Sequence, residues 1–433
     1  MKIVADLHLH SKYSRAVSPQ MDLPNMARWA KIKGINLLGT ADFTHPLWFG
    51  ELQSKLIEIN PGIYRLKSES ASWQTAVNFV LTTEISSIYT QGGKTRKIHT
   101  LLFAPSLKTV EKINKKLAKA GANLVSDGRP IIGLSSQQLC ELVWSVDEHV
   151  LIVPAHAWTP WFSIYGSKSG FESILECYGQ FADRIYAVET GLSSDPAMNW
   201  QIKDLYNRSL VSFSDAHSPA KLGREATVFQ KRNKNSEAGS KKESFSFDDL
   251  SGAIKRDNKS RWKIAYTIEF YPEEGKYFYS GHRKCGVLQS PEETEINGII
   301  CPVCGKSLTL GVMHQIKQLS EKQKNKSRRP PFKKLVPLNE IIAESVGFGP
   351  SSKKVKKIFE KITDKQSEIE ILTETDIENI ALLAGNKIAE GINKVRRGNI
   401  VVKPGYDGVF GSVKIWPGEK EKVSLANKQM NLF

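Results

Sequence analysis

Short apolar runs alternate with helical patterns over the first half of the chain. The runs read IVADL, INLLGT, VNFVLTT, KIHTLL, VLIVPA, RIYAVE and LVSFS. Near-continuous apolar runs of this length mark buried strands. The segments between them carry helix punctuation. MDLPNMARWAKIKG has Pro24 where a first turn tolerates it and Gly34 where a helix ends. SLKTVEKINKKLAKAG closes at Gly121, and LSSQQLCELVW has Ser135 or Ser136 as its N-cap. This β-then-α rhythm predicts an α/β fold with parallel strands and crossover helices, in a closed or open sheet.

The pattern changes further on. QKRNKNSEAGSKKESFS (230–246) is polar and reads as a surface loop, and FDDLSGAIKR after it as a short amphipathic helix. From residue 266 the chain is rich in Tyr, Gly and Phe and leads into CPVCG. Residues 317–335 read as a basic linker that Pro330-Pro331 keeps from being helical. Val355, Ile358, Phe359 and Ile362, then Ile377, Ile380, Leu383 and Ile388, mark helices over 351–397. The expected division is 1–265, 266–316, 317–416 and a disordered tail, 417–433.

A chain of 433 residues with 40% hydrophobic and 24% charged content has the composition of a globular protein. It holds no apolar stretch of about 18 residues, so no membrane-spanning helix is expected. MKIVADLHLH lacks the features of a signal peptide, which makes the cytoplasm the expected compartment. Of the five cysteines, Cys140 and Cys177 sit in apolar contexts, while Cys285, Cys301 and Cys304 cluster as metal ligands do. The net charge of +16 points to a polyanionic partner. From Lys317 to Lys361 there are 13 Lys/Arg against 4 Asp/Glu, which concentrates the excess.

Nine side chains able to bind metal stand just past the apolar runs: His8, His10, Asp42, Glu84, His99, His156, Glu189, Asp215 and His217. His8 and His10 alternate along a strand and leave from one face, and Asp215 and His217 have the same spacing. At the carboxyl ends of parallel strands such side chains converge. Mixed imidazole and carboxylate ligands suit Zn, Mn or Fe better than Ca. Such ions polarise a phosphoryl group and lower the pKa of bound water towards 7, so no Ser or Cys nucleophile is needed. His45 and His149 are weaker candidates. A second set, His282-x2-Cys285 and, fifteen residues on, Cys301-x2-Cys304, has the spacing of a closed tetrahedral zinc site, with His314 in reserve. A closed site folds a small domain rather than catalysing a reaction.

DLHLH, the TAD turn, TTE, the IHT histidine, PAHAW, VET and SDAH together resemble the polymerase-and-histidinol-phosphatase (PHP) family. The resemblance implies a distorted (β/α)7 barrel holding two or three divalent metals (Zn, Mn, Mg or Fe), with the nine residues above as ligands. It also implies catalysis around His8, His10, Asp215 and His217. Two positions depart from the family pattern: Ser14-Arg15 stand where an acid often follows the first pair, and Asp42 where a His is common. PAHAWTPWFSIYGSKSGFES, VETGLSSDPAMNW, SFSDAHSPAKLGREA, TIEFYPEEGKYFYSGHRKCG and CPVCGKSLTLGV are similar to endonuclease Q and its relatives over residues 1 to about 410. That similarity implies incision of DNA 5′ to uracil, hypoxanthine, xanthine and abasic sites; the expected location is the nucleoid-associated cytoplasm, and the second ligand set calls for one structural zinc.

With such a site upstream, the basic runs become candidate contacts to duplex DNA carrying a damaged base. They are Lys322 to Lys334, with Lys333 and Lys334 at its end, and Lys353, Lys354, Lys356 and Lys357. Trp158, Trp161, Phe162 and Tyr165, with the loop Gly166 to Gly170, are candidates for a base pocket, in which Trp161, Ser167 and Ser169 would read a flipped base. The ending Gln429-Met430-Asn431-Leu432-Phe433 resembles the bacterial β sliding-clamp motif, through Gln429, Leu432 and Phe433. The alternatives are a PHP phosphatase of small monoesters and a non-catalytic DNA-binding adaptor. The zinc module and basic segment argue against the first, and the near-complete ligand set against the second.

Overall fold

The computed structural model describes residues 1–69, 76–232, 245–320 and 329–416. The chain forms two compact units. The first holds Met1–Glu269 and Val312–Lys333, the second Phe270–Gly311 and Lys334–Phe433. This differs from the contiguous modules 266–316 and 317–416 expected from sequence, because the chain leaves the first unit and returns to it.

The first unit is a mixed α/β structure. β1 (Lys2–Asp6), α1 (Leu23–Lys33), β2 (Leu37–Gly39) and α2 (Pro46–Lys55) open it. β3 (Leu56–Asn60) and β4 (Ile63–Leu66) form an edge hairpin, and β5 (Asn78–Gln91) and β6 (Lys94–Ala104) a long one. Then come α3 (Leu107–Lys119), β7 (Ile131–Ile132), α4 (Ser136–Trp144), β8 (Leu151–Pro154), α5 (Ile174–Tyr178), β9 (Ala187–Glu189) and α6 (Pro196–Asn199). β10 (Ser209–Val211), β11 (Ala226–Lys231), α7 (Phe247–Ile254) and β12 (Trp262–Glu269) complete the run.

β1, β2 and β5 are parallel neighbours, as are β9 and β10. β7 also runs parallel to β5, whereas β5 with β6, β6 with β8, and β1 with β11 are antiparallel. The purely parallel expectation fails at β6 because Gln91 and Lys94 are joined by Gly92-Gly93, with φ of 60° and 72°. Two left-handed residues make a tight hairpin turn that only a β-ribbon can use. β9 and β10 form a ladder of their own, meeting β8 through the bond from Ala157 N to Glu189 O (3.0 Å). Beyond β10, Ala216 bridges to Leu9.

The helix punctuation acts as expected. Asp22 caps α1, Gly34 ends it at φ 88°, and Ser135 caps α4 with Gln138 completing a capping box. The core gathers Ile3, Ala5, Leu37, Val80, Phe103, Val153, Ala187, Phe213 and Phe229 between the sheet and α7. Each large apolar side chain so buried contributes roughly 1.5–3 kcal/mol. Cys140 and Cys177 are buried here as free thiols.

One core residue opposes this trend. Glu269 is fully buried, and its Oε2 accepts from Thr190 Oγ1 at 3.0 Å. Burial pushes its carboxyl up to about 8. The folded chain therefore holds a proton that the unfolded chain releases near pH 4.5. Stability falls as pH rises through that window, by on the order of a few kcal/mol. Glu269→Gln is expected to raise the melting temperature by several degrees at about pH 8.5, with the gain vanishing near about pH 5. A gain independent of pH would show that the carboxylate is not the destabilising group.

In the second unit β13 (Ser280–His282) and β14 (Val287–Gln289) form a hairpin followed by α8 (Pro291–Asn297). The chain returns to the first unit through α9 (Val312–Leu319) and β15 (Phe332–Lys334), the latter beside β12. The second unit resumes with α10 (Leu338–Val346), α11 (Lys353–Ile362), α12 (Glu368–Thr373), α13 (Ile377–Ala384) and α14 (Asn386–Arg396). β16 (Val401–Lys403) and β17 (Ser412–Lys414) end it. α11 buries Val355, Phe359 and Ile362 and exposes its lysines. Arg396 donates to the carbonyls of Ile371, Leu372 and Thr375, satisfying the end of α12. No helix among the described residues is long and apolar enough to cross a membrane.

Candidate metal centre

Seven of the nine expected residues meet in three overlapping groups: His8, His10 and Glu84; His10, Asp215 and His217; Glu84, His99 and His156. Each comes from a strand or the turn after it, and the end of β1 alone supplies two. Glu84 is the hub. Its Oε1 lies 3.6 Å from His8 Nε2, 2.7 Å from His99 Nδ1 and 3.1 Å from His156 Nε2. Its Oε2 faces His10 Nε2 at 3.3 Å and Arg129 Nη1 at 3.0 Å. Asp215 Oδ1 stands 3.7 Å from His8 Nε2, 3.2 Å from His10 Nε2 and 3.6 Å from His217 Nδ1.

Asp42 and Glu189, expected as ligands, stand one layer behind. Glu189 receives His8 Nδ1 at 2.9 and 3.0 Å and the backbone N–H of His156 at 2.7 Å. Asp42 Oδ1 faces His10 Nδ1 at 3.2 Å. Its Oδ2 accepts from Ser11 N and Oγ at 2.7 Å and from Ser14 Oγ at 2.8 Å. Each oxygen of the two carboxylates lies within hydrogen-bond reach of a protein group. Both fix an imidazole through Nδ1 and aim its Nε2 inward, the usual partnership behind a metal-bound histidine. Ser14 and Asp42, the two positions that depart from the expected pattern, are hydrogen-bonded to each other.

The inner atoms fit metal. His8 Nε2, His10 Nε2 and Asp215 Oδ1 are buried without an assigned hydrogen-bond partner among the described residues, although Asp215 Oδ1 stands within 4 Å of both nitrogens. Desolvation opposes charge on His8 and His10, but the surrounding carboxylates outweigh it and hold both well above the usual histidine range. A proton there stands where a cation would. Desolvation likewise works against charge on Glu84 and Asp215, yet the imidazoles, with Arg129 beside Glu84, keep both carboxylates ionised. Burial holds His99 down at about 4 and lowers His217, leaving neutral nitrogen donors. Ionised carboxylates and neutral imidazoles are what a divalent ion requires. Asp42, His156 and Asp215 have φ of 40°, 27° and 47°, a strained region for non-glycine residues that clusters at functional sites.

Further residues serve the site without a motif to announce them. Asp6 accepts from Ser214 N and Gly223 N, each at 2.9 Å, and so ties β1 to the turn that carries Asp215. Burial pushes its carboxyl up to about 6. An aspartate inside the apolar run IVADL was the available signal. Arg129 and Gly128 had none. A Cβ on Gly128 would overlap the Asp42 carboxylate and Ser14 Oγ. Gly128→Ala is expected to push Asp42 off His10 and lower any metal-dependent activity about 10–100-fold. Metal content and turnover measured together check this, and wild-type values for both would refute it.

Other candidates fall elsewhere. His45 stacks on Tyr13 (4.5 Å) and belongs to none of the groups, and His149 pairs with Asp147 at the surface. Trp158 is core, stacked on Tyr165 at 4.8 Å and bonded to Asn199. Ser169 is buried, donating to Lys97 O (3.4 Å) and accepting from Phe162 N (3.2 Å), so it shapes the loop. Trp161 is 40% exposed beside Phe162, whose ring lies 4.6 Å from His99. Ser167 is half-buried. Lys353, Lys354 and Lys356 are exposed on α11, with Lys354 over Phe348 and Lys356 near Glu360. Lys333 covers Tyr266, and Lys334 pairs with Glu273. Lys322 to Arg328, and Gln429, Leu432 and Phe433 of the clamp-like ending, lie outside the described residues.

In the second unit His282, Cys285, Cys301 and Cys304 form one four-ligand group, with Cys304 Sγ 3.3 Å from His282 Nδ1. The β13–β14 turn supplies two ligands. The loop from Cys301 to Lys306, closed by Cys301 N to Lys306 O (2.7 Å), supplies the others. Desolvation would raise the Cys301 thiol, but the backbone N–H groups of Cys304 and Val303 hold it down at about 6. His314 is not part of this group and is buried on α9 of the first unit.

Residues 337–399, which span α10 to α14, match the family model "MJ0043 C-terminal domain". Protein MJ0043 of Methanocaldococcus jannaschii is 34% identical over 61% of this chain, which spans about a third (32%) of that protein's length. Protein YqxK of Bacillus subtilis is 29% identical over 95% of this chain and 99% of its own. The lesion-specific endonuclease PfuEndoQ of Pyrococcus furiosus shares the fold, with TM-score 0.81 and 31% identity over 98% of this chain and 99% of that one. A structure of endonuclease Q with a 27-mer duplex substrate bearing an abasic lesion at the active site matches equally, with TM-score 0.81 and 32% identity over 97% and 98%. Similarity of sequence and fold along nearly the whole of both chains places this chain in the endonuclease Q family.

Proposed function

We propose that this protein is a metal-dependent DNA repair endonuclease that hydrolyses the phosphodiester 5′ to uracil, hypoxanthine, xanthine and abasic sites. The observation that carries this reading is the convergence of the unpartnered His8 Nε2, His10 Nε2 and Asp215 Oδ1 around Glu84, in a chain whose relative was solved on lesion-bearing duplex. The first unit is read as a distorted (β/α)7 PHP barrel. His8, His10, Glu84, His99, His156, Asp215 and His217 would hold two or three divalent ions. When bound, such ions make water a nucleophile near neutral pH and stabilise charge on phosphoryl oxygens.

The chain's own groups do the rest. Asp42 and Glu189 orient His10 and His8. Arg129, fixed on Glu84 and partly exposed, would steady the scissile phosphate. Asp215, the more open carboxylate of the centre, would accept a proton as well as bind metal. Lys353, Lys354 and Lys356, with Lys333 and Lys334, would contact phosphates. Trp161 and Ser167, on the loop that Ser169 ties down, would border the flipped base.

End-labelled duplexes with one uracil, hypoxanthine or abasic site, incubated with Mn²⁺ or Mg²⁺, test the reading. A single cut 5′ to the lesion, absent from undamaged DNA, is expected. No cut, with release of phosphate from small monoesters, would assign a phosphatase instead. Trp161→Ala and Ser169→Ala are expected to impair cutting at uracil and hypoxanthine, and wild-type cutting by both would remove the base-pocket assignment.

A further inference from the structure

A second concavity of the first unit gathers cations where the metal centre gathers carboxylates. Arg208, Arg232, Arg256, Lys263 and Arg329 line a half-open cavity of about 220 Å³, and among the described residues no Asp or Glu lines it. It begins beside Ser209 and Leu210, which open β10, whereas Asp215 lies past the other end of that strand. It is therefore separate from the metal centre.

The cations differ in how they are held. Arg208 is spent on the carbonyls of Ala182, Asp204 and Ile185. Arg329 stands over the rings of Trp200 (5.3 Å) and Tyr206 (5.1 Å) and donates to Trp200 O at 3.1 Å. Arg256 donates to Tyr206 O at 3.2 Å from a backbone with φ of 58°. The Nε of Arg232 is buried with no hydrogen-bond partner among the described residues. Burial lowers the Arg329 guanidinium, and the like charge of Arg256 adds to this. Packing like charges into one concavity, with no carboxylate among its described lining residues, is costly unless an anion shares it.

We propose that this cavity binds a phosphorylated small molecule of about nucleotide size, its phosphate held by Arg256, Lys263 and Arg232. Arginine forks and a lysine point charge suit phosphate oxygens. Leu205, Ile264, Pro330 and Pro331 give apolar walls for the sugar or base. The cations converge on a pocket rather than tracking along a face, which favours a discrete ligand over the continuous backbone of a duplex.

Calorimetric titration of the whole protein with pyrophosphate and with dAMP tests this at physiological salt, because surface attraction alone is then screened. Arg256→Gln with Lys263→Gln is the informative variant, since both side chains are exposed and the fold, followed by melting, should persist. Saturable binding to wild type and to Asp215→Ala, weakened at least about tenfold in the double variant, is expected. No binding to wild type, or unchanged affinity in the double variant, overturns the proposal. So does a double variant that loses affinity only for an undamaged duplex, which would make the cavity a DNA backbone contact. None of these outcomes depends on lesion cleavage.

Discussion

Asp215→Ala is expected to reduce lesion-directed cleavage by about a thousandfold or more, while Asp42→Asn reduces it only about 10–100-fold. The difference follows from the layering. Asp215 Oδ1 faces His8, His10 and His217 at 3.7, 3.2 and 3.6 Å, so its loss removes a donor from the centre. Asp42 spends both oxygens on His10, Ser11 and Ser14. The amide introduced by Asp42→Asn keeps one acceptor oxygen and most of the geometry, but weakens the hold on His10 and lowers the basicity of its ring. The two variants should also differ in metal content, with Asp215→Ala losing ions that Asp42→Asn retains at reduced affinity. Equal, complete loss in both would place Asp42 among the ligands and refute the layering. Turnover under saturating Mn²⁺ separates weakened metal binding from a lost chemical step, since excess metal rescues only the former.

Disrupting the second candidate metal site should act on folding rather than on chemistry. Cys301→Ser is expected to lose one zinc per chain and to expose residues 280–306 to protease. Structural zinc supplies on the order of 10 kcal/mol or more of folding free energy in small domains. The segment from Ser280 to Ser307 has little else to hold it: two three-residue strands, a seven-residue helix that exposes Ile296, and a loop whose Ile299, Ile300 and Val303 are exposed. Strong chelation of the wild-type protein should reproduce the protease sensitivity, and readdition of zinc should reverse it. A variant without zinc that resists protease as wild type does would show that the four side chains hold no structural ion. The first unit should melt nearly unchanged in Cys301→Ser, which distinguishes local unfolding from a general loss of stability.

The sequence determined a good deal by itself. Strand and helix identities followed from apolar runs and caps, because those signals are local: Asp22, Gly34 and Ser135 act within a turn of their own helices. Membership of the centre was legible for the same reason, since a ligand just past an apolar strand ends up at one edge of the sheet wherever that strand lies. His282, Cys285, Cys301 and Cys304 came together as one group, because both pairs sit in short turns. Gly92-Gly93 was also legible as a hairpin, but the βα rhythm around it masked the signal.

Only the tertiary structure decided rank within the site. His8, Glu189, His10 and Asp42 look alike in sequence, yet which side chain each of them faces depends on contacts across 181 and 32 residues. Strand order alone brings those together. The same holds for Arg129 and Gly128, whose importance is set by a close approach to Glu84 and Asp42 and by nothing in their own neighbourhoods. It holds for the return of Val312–Lys333 to the first unit, which brings Arg329 onto Trp200 and Tyr206. Local free energies of capping and patterning are written along the chain. Distances between residues far apart in sequence are fixed only when the sheet closes its core.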